Sequence, residues 1–396
     1  MHNYYDAAVI GGGPIGGYVA GKIASMGFEV AIFEQNKQIG ERLKCAGLVT
    51  SRVFDFLEIS KNLVIQNKIK GARIHSPSGR KLRIGGDRVH ALVINRPVFD
   101  REIIKSSIEK GTEIFLENKI KSFQIREGQI ELKTSQNNDV RCKLLIGADG
   151  PYSKTRDRFV MSQPTEILRG IGAEIKDTEL DPNIVEIFVG EKIAPGFFAW
   201  IIPTNEHGTE ARIGLCISQK STKSPSHYFS NLFKNKYSSP YLENVKITRK
   251  IGGSIPLGVL KKTHASNVML VGDAAAQVKP TSGGGIYTGL LCSSYCSSVA
   301  IEALQKNNFT SQVLKKYQKL WSTDIGRELY FGMKFRKLFK SLTDRQMDKY
   351  IEKFQKQKIT EIISKHGDID YPSKLMKPLL KQAPSLIRLL PSIIKK

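Results

Sequence analysis

The stretch AAVIGGGPIGGYVAGKIASMGFEVAIFE, residues 7–34, decides the fold. It opens with an apolar run, turns through glycines, continues at helical spacing from Pro14, and closes a second apolar run with Glu34. This pattern predicts a buried strand at 7–10, a helix at about 14–26 and a strand at 30–33. Gly11, Gly13 and Gly16 form G-x-G-x-x-G, the spacing that lets a backbone turn approach a pyrophosphate at a helix N-terminus. Glu34 ends the second strand, where a carboxylate can accept hydrogen bonds from ribose hydroxyls. A lone glycine motif would serve equally well as a tight structural turn. Strand, turn, helix, strand and acid in this order point instead to a dinucleotide.

Two further motifs extend the reading. An apolar run at 143–146 leads into Gly147-Ala148-Asp149-Gly150, with Ser153 and Arg156 close behind, and a helix is expected to start near PYSKTR. Another apolar run, in NVMLVGDAAAQ, ends in Gly272-Asp273; Gly283-Gly284-Gly285 then opens a helix expected to reach about residue 305. An ADP moiety fits the first motif, and a ribitol hydroxyl fits Asp273. The helix starting after Gly285 would turn its positive end toward a flavin pyrimidine ring. A nicotinamide enzyme needs only the first motif. All three together point to FAD.

Between these motifs the pattern changes. Residues 64–94 read as short strands with a turn at SPSGRK. A helix is expected at 97–109, with Pro97 at its favoured first position. Strands follow at 113–116, 120–125 and 130–134. From 166 to 249 the chain alternates as an antiparallel sheet does, in GIGAEI, VEIFVG, GFFAWIIP and EARIGLCIS, with a helical piece near 227–236. Helices are expected across 311–342 and 344–366. The fold class is α/β: a Rossmann-type FAD domain (1–62, 91–165 and 265–330), an inserted β-rich substrate domain (63–90 and 166–264), and a helical C-terminal region (331–396).

The 396 residues include 61 Lys+Arg against 37 Asp+Glu, a net charge of +24. Such a surface suits anionic lipid, an acidic protein or a phosphorylated substrate. It carries no nucleic-acid recognition motif, so no nucleic-acid partner is expected. The five cysteines, Cys45, Cys142, Cys216, Cys292 and Cys296, contain no C-x-x-C pair, and the histidines show no ligand spacing. No metal site or disulfide framework is expected, and the setting reads as cytoplasmic. Neither a signal peptide nor an apolar run of membrane-spanning length is expected. Residues 371–396 hold six Lys/Arg, no acid, and apolar pairs broken by prolines. They fit a peripheral membrane contact, and equally a terminal helix with its lysines in water.

With these motifs in place, the chain resembles the glutathione-reductase-type flavoproteins, in the branch of para-hydroxybenzoate hydroxylase. Within it, the chain looks most like the geranylgeranyl reductase family. The narrower match is carried by Lys44-Cys45-Ala46-Gly47, Arg96-Pro97-Val98-Phe99-Asp100, the run from Pro195 to Pro203 and the run from Pro280 to Ile286. It departs at Ala46, where archaeal members often have glycine, and at Lys279-Pro280-Thr281-Ser282, which replaces a more usual acid-proline-x-threonine run. The resemblance implies that Gly11, Gly13, Ile15, Gly16, Glu34, Gln35, Arg42, Cys45, Ala46, Gly47, Arg96, Ile120, Asp149, Gly150, Gly272, Asp273, Gly284, Gly285 and Ile286 line the flavin.

It also implies saturation of isolated prenyl double bonds, on a lipid or a prenyl diphosphate, by hydride from reduced flavin N5 plus a proton. An unactivated alkene offers no carbonyl, so it must lie on the flavin in a dry pocket with one acid nearby. Phe197, Phe198, Trp200 and Ile201 are suitable lining types, and the period of two puts Phe198 and Trp200 on one face. Either residue taken singly fits an ordinary sheet core as well. Cys45 is the candidate catalytic residue; proton donor, redox thiol and backbone contact to FAD remain open for it. The electron donor is expected to be NADPH or a reduced ferredoxin, since no second glycine motif marks a nicotinamide domain. A flavin monooxygenase shares every FAD motif and is the nearest alternative. A non-catalytic prenyl carrier is the alternative from another class.

Overall fold

A computed structural model describes residues 4–41, 45–159 and 162–382. The expected first unit forms as read. Tyr4–Ile10 runs into the helix Pro14–Ala24, and Val30–Phe33 follows. All four residues of Val30–Phe33 are buried, as a strand covered on both faces requires. Tyr4–Ile10 is the central strand of an eight-stranded sheet, parallel to Val30–Phe33 on one side and to Asp139–Gly147 on the other. Glu113–Phe115 and Val268–Leu270 extend the parallel set outward. The chain leaves the central strand toward one side and later returns on the other. The crevice at the carboxyl end of Tyr4–Ile10 is therefore a topological switch point.

One face of this sheet is covered by Pro14–Ala24, which packs between Arg96–Glu109 and Ile286–Gln305. Val19, Ile23, Phe99, Ile103, Cys292 and Trp321 share the core there. Asn95 caps Arg96–Glu109 by accepting from the Val98 amide, a contact worth about 1 kcal/mol. The helical stretch expected over 311–342 is broken at Asp324, whose carboxylate accepts from the Tyr295 hydroxyl at 2.6 Å.

The second sheet has seven strands in the order Lys246–Leu257, Glu166–Lys176, Glu210–Ile217, Phe198–Pro203, Ile184–Val189, Gly71–His75, Lys81–Gly85. It is antiparallel as expected, except where Ile184–Val189 pairs parallel with Gly71–His75. That strand arrives from the distant excursion at 65–94, so no hairpin constrains its direction. A third sheet joins Leu48–Val49, Ala91–Ile94 and Ile65–Ile69. The expected boundaries at residues 63 and 91 therefore run between strands that hydrogen-bond to each other.

Register fixes the two faces of the second sheet. Ala199, Ile201, Ile213 and Leu215 point to one side and form a core with Tyr228 and Leu232 of the helix Pro225–Leu232. Phe198, Trp200 and their partners Val189 and Ile187 point to the other. Helix Ile325–Ser341, in the C-terminal part of the chain, lies on that side, with Met333 packed against the same buried cluster as Phe198 and Trp200. Among the described residues no helix is long and apolar enough to cross a membrane.

Candidate flavin and substrate site

The glycine turn closes because two of its glycines admit backbone where a side chain would stand. A β-carbon on Gly16 would lie 2.0 Å from the Gly11 carbonyl oxygen, and one on Gly11 would lie 2.4 Å from that of Ala148. At Gly13 a β-carbon would meet nothing within 4 Å, so the turn is open on its outer side. Helix Pro14–Ala24 starts at Gly13 with no side-chain cap. Its first amides are thus available to an anion, and the positive end of the helix faces the same space. This open, glycine-walled cradle fits the pyrophosphate of FAD.

Glu34 is buried beside the turn. One carboxylate oxygen accepts from the Gly12 amide at 2.8 Å and the other from the Asn36 amide at 2.8 Å. The Asn36 side-chain amide donates to that second oxygen as well, at 2.5 Å, so the oxygen facing Gly12 is the one that keeps a lone pair for a hydroxyl. Gln35 next to it is exposed, and the Asn118 amide donates to the Glu34 carbonyl. Ile120, two residues on, is buried among Tyr5, Phe33 and Phe123, so its side chain belongs to the core. Asp149 accepts from the Ser153 hydroxyl and from the amide and hydroxyl of Thr155. Both of its oxygens are engaged in shaping the 149–155 turn. Arg156, buried under that turn, donates to the carbonyls of Pro151 and Ala274 and ties the second motif to the third.

The third motif folds against the first. Gly272 opens the short helical turn Gly272–Ala275, and a β-carbon there would lie 3.0 Å from Ile15. Asp273 sits beside the start of Ile286–Gln305: a β-carbon on Gly285 would be 3.1 Å from its carboxylate. That helix also begins without a side-chain cap, at Gly285. Two uncapped helix starts, at Gly13 and Gly285, thus belong to one continuous site.

Cys45, Ala46 and Gly47 form a wall beside the strand Ala91–Ile94, with the Ile94 amide donating to the Gly47 carbonyl at 2.8 Å. The Gly47 amide donates to the Cys45 sulfur at 3.4 Å, and the Arg96 guanidinium lies against the same sulfur. Burial opposes the Arg96 charge, yet Asp100 and Cys45 hold its proton affinity above the ordinary value. The Asp100 carboxyl is pushed above its usual range by burial, against the pull of Arg96 and Arg101. Arg212, absent from the sequence expectations, holds this wall to the second sheet. Its buried guanidinium donates to the carbonyls of Ala46 (3.0 Å) and Ile94 (2.9 Å) and to Gln66 and Glu174. Nothing in its local sequence distinguished it from a surface arginine on a strand. Arg42 and Lys44 lie outside the described residues.

Across from the wall stand Phe198 and Trp200, on one face as expected, with ring centroids 5.9 Å apart edge to face. Phe197 lies outside the strand, buried and stacked on Phe198 at 4.2 Å. Arg336 supports it: its guanidinium lies 5.3 Å over the Phe197 ring and donates to the Gly196 carbonyl and to Glu166. Trp200 contacts the cluster holding Ala46 and Leu48, and also the one holding Val278 and Met333. Phe198 and Ile187 continue to Ile74, Phe339 and Met347. These large apolar side chains stay only half-buried on the face of the sheet opposite Tyr228 and Leu232.

The other four cysteines are buried, and burial pushes their thiols up, to about 12 for Cys142 and Cys216. They are packing residues. Among the described residues no group of His, Cys, Asp and Glu is arranged to hold a metal.

The FAD binding domain family matches residues 4–318, which contain the turn, Asp149 and Asp273. The chain belongs to this family, in its geranylgeranyl reductase branch. It is an FAD-binding protein. An uncharacterized protein of Methanocaldococcus jannaschii is 33% identical, over 96% of this chain and 95% of its own. Digeranylgeranylglycerophospholipid reductase 1 of Methanococcoides burtonii is 29% identical, over 88% and 87% respectively. The fold is shared with a geranylgeranyl bacteriochlorophyll reductase-like protein of Thermoplasma acidophilum, at a TM-score of 0.86, with 23% identity over 99% of this chain and all of that one.

Proposed function

We propose that this chain is an FAD-dependent reductase that saturates isolated double bonds in the prenyl chains of membrane lipids or their precursors. The observation that supports the reading is the half-buried aromatic pair Phe198 and Trp200, with Trp200 on the same cluster as Ala46 and Leu48; we read this face as the lane for the prenyl chain. An apolar, unbranched-to-methylated chain matches such a lane, and its walls exclude water from the reacting bond. FAD, when bound and reduced, supplies the hydride.

The proton must come from the protein. Cys45 is suited to it by position, because the Gly47 amide and the Arg96 guanidinium both contact its sulfur and hold it in place. Glu34 and the amides at Gly13 and Ile286 orient the cofactor, while Phe198 and Trp200 align the chain. A reductase named for a digeranylgeranyl lipid among the relatives supports this substrate class. The electrons enter from NADPH or a reduced ferredoxin.

The test is mass spectrometry of an unsaturated archaeal-type lipid after incubation with dithionite-reduced enzyme. A gain of one H2 per double bond is expected, and Cys45→Ala should lower that gain without loss of bound flavin. Rapid NADPH oxidation with peroxide release in air, and no lipid reduction, would replace this reading with a monooxygenase. A colourless protein that binds the lipid unchanged would replace it with a carrier.

A further inference from the structure

The loop leading into the Gly285 helix start contains Lys279, which is 6% exposed. The turn is tight: the Lys279 amide donates to the Gly284 carbonyl at 3.1 Å, and the Gly283 amide returns to the Lys279 carbonyl at 2.8 Å. The lysine side chain folds back over it, so that a β-carbon on Gly284 would lie 2.9 Å from Lys279 Cε. Its ammonium ends 2.6 Å from Asp370, which is fully buried and comes from the C-terminal part of the chain. Asp370 also accepts from the Thr50 hydroxyl at 2.6 Å and from Arg52 at 2.9 Å. Arg52 forks onto Asp368 as well, and Lys374 approaches Asp368 from the exposed side at 3.5 Å.

Lys279 and Arg52 thus face Asp368 and Asp370, and the charges of this inner group cancel. A buried cation beside an uncapped helix N-terminus would add to the positive field there. A buried acid on that cation removes the addition. We propose that Lys279 and Asp370 are residues of the flavin site: together they hold the 279–285 turn and keep the local charge neutral, setting the reduction potential of the bound flavin. This rests on the assignment of FAD to the Gly285 helix start, and not on which substrate is reduced. Asp370 acts through Lys279 and the turn, and is a positioning residue.

The potential of the purified holoenzyme, measured by dye equilibration without substrate, tests the proposal. Asp370→Asn leaves a net positive charge and should move the flavin about tenfold toward the reduced form at a fixed poise, about 30 mV for a two-electron couple. Lys279→Met leaves a net negative charge and should move it in the opposite direction. The double variant Lys279→Met with Asp370→Asn restores neutrality and should return the potential toward wild type. Where Asp370→Asn folds poorly, Lys279→Met alone keeps the test, since the acid left without its cation should still lower the potential. Single variants that shift in the same direction, or that retain flavin at an unchanged potential, would overturn the proposal. A flavoprotein with the expected shifts but no alkene reduction would overturn only the functional reading above.

Discussion

Trp200 lies across Gly214 on the neighbouring strand, so close that a β-carbon on the glycine would stand 2.6 Å from the indole. The strand is bare there so that the ring can lie down over it. Gly214→Ala must tilt the indole into the lane. Overpacking of this kind costs about 1–3 kcal/mol. If about 1.4 kcal/mol of it falls on the reacting complex, turnover drops about tenfold. We expect that drop on long prenyl chains with flavin content unchanged, read by steady-state kinetics beside the flavin absorbance. Equal loss of flavin and turnover would place the effect on folding instead.

Gly16→Ala drives a methyl group into the Gly11 carbonyl oxygen, 2.0 Å from where the β-carbon would stand. Both partners are backbone, so neither yields without opening the turn. The purified variant should keep its helical circular dichroism and lose most bound FAD. Stoichiometric flavin would contradict the cradle.

Glu166 ties helix Ile325–Ser341 to the second sheet through Arg336 and Lys340. Burial alone would raise its carboxyl, but Ser218, Arg336 and Lys340 outweigh it and hold it below the ordinary 4.5. For a depressed acid, the stabilisation is present above the unfolded value and is lost as pH falls through the lower native one. Thermal unfolding should therefore show stability declining as pH drops below about 4.5 toward the native value. Glu166→Gln should remove that part of the decline. At neutral pH the same change leaves Arg336, 3% exposed, without its charge partner, at a cost of about 3–5 kcal/mol.

Arg212→Met strips donors from the buried carbonyls of Ala46 and Ile94, at about 1–3 kcal/mol for each group left unsatisfied. The Cys45–Gly47 wall should then separate from the sheet. Proteolysis at 45–47 should become faster, and FAD affinity should fall. Arg212→Lys supplies one ammonium where four acceptors need a fork, and should recover only part of the loss. Full recovery by lysine would show that charge alone matters there.

Much of this architecture is local and was readable as such. The helix expected to reach residue 305 ends at Gln305, and the strand expected at 30–33 is Val30–Phe33. Phe198 and Trp200 share a face because a strand's side chains alternate. The break at Asp324 had a faint local sign in Ser322, Thr323 and Gly326, all weak helix formers, but the Tyr295 hydroxyl that holds the aspartate lies on another element. Arg212 and Arg336 looked like any other arginines in a chain of high positive charge. Their burial depends on which carbonyls and acids the fold brings to them.

The sequence by itself determined the cofactor cradle. Strand, glycine turn and helix are short-range features, and the β-carbon clashes that make Gly16 and Gly11 necessary arise within one turn and its neighbouring strand. The tertiary structure alone decided what faces the cradle. Lys279 and Asp370 are 91 residues apart. Periodicity assigns each to a loop and says nothing of the other, because an ion pair depends on distance in space and on the exclusion of water. The face beside Trp200 is of the same kind: Met333 and Phe339 reach its clusters from a helix far along the chain, and that partner was chosen by packing.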